Sequence, residues 1–138
     1  MRRVLIDTNV LIDYISEREP FSESARSILL LCMDKKLNGS IAAHSVMNAF
    51  YILRKEMTLT ERREFLLDIC TFLTVIGIDK TKIVFALENN NFSDVEDCLQ
   101  VECAKEFNAE YIITRNIKDF TESDIPAISP DDYLKIMD

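Results

Sequence analysis

The chain predicts an α/β fold, with a largely parallel sheet covered by helices. Three observations carry that expectation. Short apolar runs rich in β-branched residues, such as Val4-Leu5-Ile6 and Tyr111 to Thr114, are of the kind that fill strands buried on both faces. The first strand runs are separated by stretches long enough for two helices, with apolar residues at helical spacing. The strand runs also end in polar residues, Asp7 after the first and Arg115-Asn116 after a later one, as at the ligand-bearing carboxyl edge of an open sheet.

Taken in order, Val4 to Ile6 is the first strand, and Val10 to Ser16 a short helix capped by Thr8 or Asn9. Glu17 to Pro20 is a break. Ser22 is placed to cap a helix with Ala25, Ile28, Leu29, Cys32 and Met33 on one side, stopped at Asn38-Gly39. Ser40 to Ala43 is a second strand. Ser45 is the expected cap of a helix carrying Val46, Met47, Ala49, Phe50 and Leu53, closed by Arg54 and Lys55 where positive charge suits the helix dipole. Thr60 caps a further helix with Phe65, Leu66, Ile69, Cys70 and Leu73. Val75 to Ile78 is strand-like, and Asp79 caps a helix containing Ile83, Val84 and Leu87. After the Asn89-Asn90-Asn91 loop, Ser93 to Glu96 has the form of a capping box, and its helix runs to about Phe107. Tyr111 to Thr114 is a strand and Ile117 to Pro126 is irregular. Ala127-Ile128 is a last short strand, and Ser129-Pro130 opens a terminal helix.

Bulk properties exclude several classes. A chain of 138 residues is expected to form one domain, residues 1–138, with a real core. Hydrophobic residues at 48% and charged residues at 29% exclude disorder, while two Gly and three Pro leave no room for a flexible linker or a Gly-rich phosphate loop. A net charge of -8 argues against generic nucleic-acid binding through the overall field, although a local basic rim remains compatible with it. Cys32, Cys70, Cys98 and Cys103 form no C-x-x-C pair, and with the single His44 they make no plausible zinc site, so buried free thiols are expected. No apolar stretch approaches the roughly 20 residues of a membrane span, and no leader pattern follows Arg2-Arg3. The expectation is a cytoplasmic protein with no membrane association.

The candidate chemistry is acidic. Asp7 either anchors a metal-holding pocket or merely caps the helix after it, a role that Thr8 and Asn9 are better placed to fill. On a helical wheel Asp97 lies with Val101 and Ala104, opposite Glu102, Lys105 and Glu106. A carboxylate on that inward side needs a metal, a cation or a donor such as Gln100. Asp94, one turn earlier, either joins it or serves the helix N-terminus. Asn116 and Asp119 emerge at the same edge as Asp7, where Thr114 and Asn116 are placed to meet a water or a phosphate. Separated acids converging on one edge suit a hard divalent ion such as Mg²⁺. His44 reads as a structural residue at a strand end. Arg54, Lys55, Arg115 and Lys118 are the basic residues near the edge, read singly as solvated charge and together as a grip on a nucleic-acid backbone.

Three stretches, VLIDTNVLIDYI, HSVMNAFYILRK and DVEDCLQVECAKEFNAEYIITRNIKDF, resemble PIN domains, most of all their VapC-like branch. The resemblance covers almost the whole chain in the right order. It implies a three-layer α/β/α sandwich with a five-stranded, mainly parallel sheet. It further implies an endoribonuclease dependent on Mg²⁺ or Mn²⁺, often the toxin of a toxin–antitoxin pair and often a homodimer. Asp7 matches the family's first acid and Asp97 its third, with Asp94 beside it. Asn116 matches the fourth position, with Asp119 close by. The second acid falls on Asn48. The candidate metal ligands are therefore Asp7, Asp97 and Asn116. Asp94, Asp119 and Asn48 complete the catalytic set, and Thr8, Asn9, Thr114, Arg115, Lys118 and Arg54 are placed to bind RNA. Amides at positions 48 and 116 remove negative charge, which predicts weaker metal binding. They also set a competing expectation, a domain that binds RNA or a protein with little or no catalysis.

Overall fold

Five strands form the sheet of the computed structural model, which describes residues 1–137. They are β1 (Arg3–Ile6), β2 (Asn38–Ala42), β3 (Thr74–Ile76), β4 (Tyr111–Ile113) and β5 (Ala127–Ile128). Their spatial order is β3-β2-β1-β4-β5, and every neighbouring pair is parallel. The chain works outward from β1 to β3, then crosses back to place β4 on the other side of β1. Such a reversal opens a crevice at the carboxyl ends of the two flanking strands, where open α/β sheets bind ligands.

The helices are α1 (Thr8–Ile15), α2 (Ser22–Met33), α3 (Ala43–Ile52), α4 (Leu59–Phe72), α5 (Lys80–Glu88), α6 (Val95–Phe107) and α7 (Pro130–Ile136). Two 3-10 turns, Leu53–Lys55 and Ile117–Phe120, come after α3 and β4, the second lying in a segment expected to be irregular. The two-residue period of β1 divides the core. Val4 and Ile6 join α1, α2 and Tyr133 of α7 on one face, while Leu5 packs with Val101, Cys103 and Ala104 of α6 on the other. Helices thus cover both faces of the sheet, as the sandwich requires.

Several helix starts differ from expectation. Asp7, not Thr8 or Asn9, is the N-cap of α1, because the helix begins one residue after the strand ends. Ser22 lies inside α2 and its hydroxyl donates to Glu19 instead of capping. Ser45 lies inside α3, which starts directly from β2. Thr58 replaces Thr60 as the cap of α4, forming a reciprocal capping box with Glu61. Asp94 replaces Ser93 at α6 and accepts from the Glu96 amide. The caps at Asp79 and Ser129 are as expected. Cys70 is exposed, unlike the other three cysteines, because α4 turns it away from the sheet along with Phe65.

Asn38-Gly39 is not a helix stop but the start of β2; the chain leaves α2 at Asp34, and Lys35 takes a left-handed conformation. Gly39 is there because α2 and the end of α4 crowd the strand. A Cβ at this position would come within 2.6 Å of Cys32 Sγ and 2.7 Å of Leu73 Cδ2. Gly39→Ala should therefore destabilise the chain by about 1–3 kcal/mol through overpacking, read as a lower urea midpoint at unchanged slope.

Candidate functional site

The β1–β4 and β4–β5 ladders each continue one residue beyond the strands. The Asp7 amide donates to Ile113 O at 3.0 Å, and the Thr114 amide to Ile128 O at 2.9 Å. The two side chains are thereby set side by side at the carboxyl edge. The Thr114 hydroxyl donates to Asp7 Oδ2 at 2.8 Å, and Asn9 Nδ2 reaches the same oxygen at 3.2 Å. Asp7 Oδ1 accepts from the Thr8 amide at 2.7 Å and from Gln100 Nε2 at 3.0 Å. Asp7 is 8% exposed. Burial raises its pKa, and the nearby Asp119 adds to the rise, while the Thr114 and Thr8 hydrogen bonds and Arg115 pull it back.

Gln100 extends this network. Its Nε2 also donates to Ser45 Oγ at 2.8 Å, so one amide ties α6 to both β1 and α3. Its Oε1 is buried with no partner among the described residues, an orphan acceptor beside the cleft that a water or ligand would satisfy.

Above Asp7 opens a cleft of about 300 Å³. Asp94, Glu96, Asp97 and Asp119 line it with Asp7, and Arg18 is the cation among the described lining residues. Thr8, Asn9, Asn48 and Asn116 add neutral polar groups, and Ile12 and Ile52 supply apolar wall. The Asp97 carboxyl is pushed up to about 7, mainly by burial and then by Asp94, Asp7, Asp119 and Glu96. Among the described residues no three Asp, Glu, His or Cys side chains converge into a ready-made cage. The cleft instead offers carboxylates singly and in pairs, with amide oxygens beside them. That all-oxygen set fits a Mg²⁺-like ion, which keeps most of its shell as water and substrate.

The structure therefore brings together Asp7, Thr8, Asn9, Asn48, Asp94, Asp97, Asn116 and Asp119. Four other candidates lie elsewhere. Thr114 is fully buried under the cleft, holding Asp7 and accepting from the Asn116 amide at 3.0 Å. Arg115 is a paired charge, not a freely solvated one. It turns away to grip Asp13, which is 1% exposed, and stacks over Phe21 at 4.3 Å. Arg54 folds back on the Tyr51 ring at 3.7 Å, and Lys118 is exposed beside the cleft without lining it. His44 sits in the first turn of α3, not at a strand end, with both ring nitrogens unpartnered among the described residues and its pKa lowered by burial.

Glu96, Gln100, Ser45 and Arg18 were missed as site residues. Glu96 and Ser45 read as capping groups, and Gln100 as a partner of Asp97, whereas its amide goes to Asp7. Arg18 stands in what reads as a mere chain break. The signal for Gln100 was its spacing: three residues after Asp97, it faces the same side of α6.

Residues 3–118 match the family described as PIN domain. The chain is 25% identical over 140 residues to Ribonuclease VapC1 of Aquifex aeolicus (strain VF5), covering 96% of this chain and 94% of that protein. Among solved structures, a toxin-antitoxin complex from Klebsiella pneumoniae superposes with a TM-score of 0.66 at 24% identity, covering 92% of this chain and 97% of the other. VapBC2 from Rickettsia felis, bound to a DNA fragment from its promoter, gives 0.67 at 17% identity over 92% and 98%. These two likenesses establish the fold, a five-stranded parallel α/β sandwich.

The electrostatics of the cleft and of the Asp13 pair each lead to a measurable outcome. The folded pKa of Asp97, about 7, lies above its usual 3.8. The associated stability is then full below about pH 4 and lost as pH rises through about 7. With a chelator present, Asp97→Asn should raise the melting temperature at pH 8 by a few degrees and leave it unchanged at pH 4, as read by differential scanning calorimetry. Arg115→Leu should cost about 3 kcal/mol in urea unfolding by stranding the buried Asp13, whereas Lys118→Leu should stay within about 0.5 kcal/mol.

Proposed function

The chain belongs to the PIN domain family, and on that footing we propose that it is a metal-dependent endoribonuclease acting as the toxin of a toxin–antitoxin pair. The observation that carries the reading is the buried, four-donor Asp7 at the β1/β4 crevice, facing a cleft in which Asp97 also presents a carboxylate. The likeness to a protein named as a ribonuclease along nearly its full length supports the same activity.

In this reading Asp7, Asp97 and Asn116 hold Mg²⁺ or Mn²⁺, and Asp94 and Asp119 add negative charge around them. A bound ion of this kind supplies Lewis-acid activation of water and neutralises charge developing on a phosphodiester. The chain's own groups do the positioning. Thr8, Asn9, Thr114 and Gln100 lock the Asp7 carboxylate in one orientation, so no reorganisation is needed when substrate arrives. Arg18 meets a backbone phosphate at the wall of the cleft, and Lys118 and Arg54 act from outside it. With a net charge of -8, the protein attracts RNA through these local groups and the ion, not through its overall field.

The partners are an RNA substrate, an antitoxin protein and a second copy of the chain. Support comes from the structural neighbours, which include toxin-antitoxin complexes, and from apolar side chains left exposed on α3 (Met47, Tyr51) and α5 (Phe85, Leu87). Among the described residues, no helix is long and apolar enough to cross a membrane.

The test is cleavage of a structured RNA with and without Mn²⁺. Wild-type protein should cleave it, EDTA should abolish cleavage, and Asp7→Asn or Asp97→Asn should each lower the rate by more than about 100-fold. Full activity in either variant would refute these assignments. The amides at positions 48 and 116 favour one other reading, a binding module, which RNA retention without cleavage by the wild-type chain would support.

A further inference from the structure

The family resemblance expects a second acid where α3 carries Asn48, and an amide there brings no charge to the cleft. The structure places a carboxylate at the same spot from another direction. Asn48 Nδ2 lies 3.3 Å from Glu96 Oε1 and 3.2 Å from Glu96 Oε2. Glu96 is in the first turn of α6 and lines the cleft beside Asp97 and Asp7. It is held at both ends: its amide donates to the Asp94 cap at 2.8 Å, and its carboxylate is met by Asn48. An exposed Glu ordinarily samples many rotamers, and ordering one carries an entropic cost. A charge-assisted contact across two elements, 48 residues apart in sequence, restricts it to the cleft side. The orphan Gln100 Oε1, on a residue lining the same cleft, independently marks this as the place where a ligand completes the polar shell.

We infer that Glu96 supplies the negative charge that position 48 lacks, and that Asn48 is a positioning residue whose amide aims the Glu96 carboxylate into the cleft. In this chain the acid stands on α6, and position 48 on α3 orients it. This explains why an amide, rather than an apolar residue, stands at position 48: an ionised acid there would repel Glu96, and an aliphatic side chain could not donate to it. The inference rests on the metal-site reading above and deepens it.

The experiment is Mn²⁺ binding by calorimetry at fixed pH and ionic strength, with the melting temperature in chelator as a folding control. Glu96→Gln should keep its melting temperature and weaken Mn²⁺ binding about tenfold, through loss of one charge in a low-dielectric cleft. Asn48→Ala should weaken it by about threefold, since the acid remains but is no longer aimed. The transplant Asn48→Glu with Glu96→Gln should restore binding to within about threefold of wild type, a rescue that a purely structural contact would not give. Wild-type affinity in Glu96→Gln, alongside loss in Asp97→Asn, would overturn this inference and leave the metal site standing. Failure of the transplant to recover any affinity would also overturn it. Absence of Mn²⁺ binding by the wild-type chain would overturn the metal reading and the inference together.

Discussion

A carboxylate can be kept in a protein interior only if the groups around it replace the water it has lost. Asp7 is the point where this chain meets that demand, and the architecture answers to it. Its donors come from the first turn of α1, from the residue after β4, and from the middle of α6. The Thr8 and Asn9 donors are local, but the Thr114 hydroxyl needs the parallel ladder that sets it beside Asp7, and the Gln100 amide needs α6 crossing the face of the sheet that Leu5 presents. The central position of β1 matters for the same reason: it has neighbours on both sides and ends at the crevice it shares with β4. Asp7 is both helix cap and candidate ligand anchor, so the two roles weighed against each other in the sequence are compatible. Capping is part of how the acid is held.

Around that fixed point the chain accumulates like charge. Asp94, Glu96, Asp97 and Asp119 share a small cleft with Asp7, and the upward shift of Asp97 records its burial first and then this repulsion. An arrangement that weakens the fold on its own is expected where binding supplies the compensation. The contrast with Asp13 is instructive. That acid is buried more deeply, yet Arg115 neutralises it, and it takes no part in the cleft. The chain thus treats two buried acids in opposite ways. One is closed off by a guanidinium, and the other is left on uncharged donors and open to a ligand.

Much of this was legible in the sequence because the strongest signals are local. The β1 run ending at Asp7, the inward placement of Asp97 on its helix and the alternation of strands with helices all come from periodicity over a few residues, and the structure agrees with each. What could not be read was directional. Arg115 stands after a strand as a surface cation would, and only the tertiary position of Asp13 and Phe21 turns it inward. Ser45 and Ser22 have the chemistry of caps, but the neighbouring backbone was already helical, so the hydroxyls went elsewhere. Gly39 looked like a helix stop because glycine often ends helices, whereas here the closeness of Cys32 and Leu73 demands it. The link between Asn48 and Glu96 spans two elements and had no counterpart in local pattern at all.

Helix α6 delivers Glu96, Asp97 and Gln100 from within little more than one turn. These groups therefore share a single angular setting, fixed by where Asp94 starts the helix. Gaining or losing one residue between the cap and Gln100 would swing every later side chain of the helix by about 100°, carrying the orphan amide and its bond to Asp7 away as a unit. A residue gained or lost within β1 would be no gentler, since it turns every later side chain of the strand to the opposite face. Change in this pocket through descent is thus expected to arrive by substitution along α6 at constant length, with the loop at Asn89 to Ser93 absorbing insertions upstream of the cap.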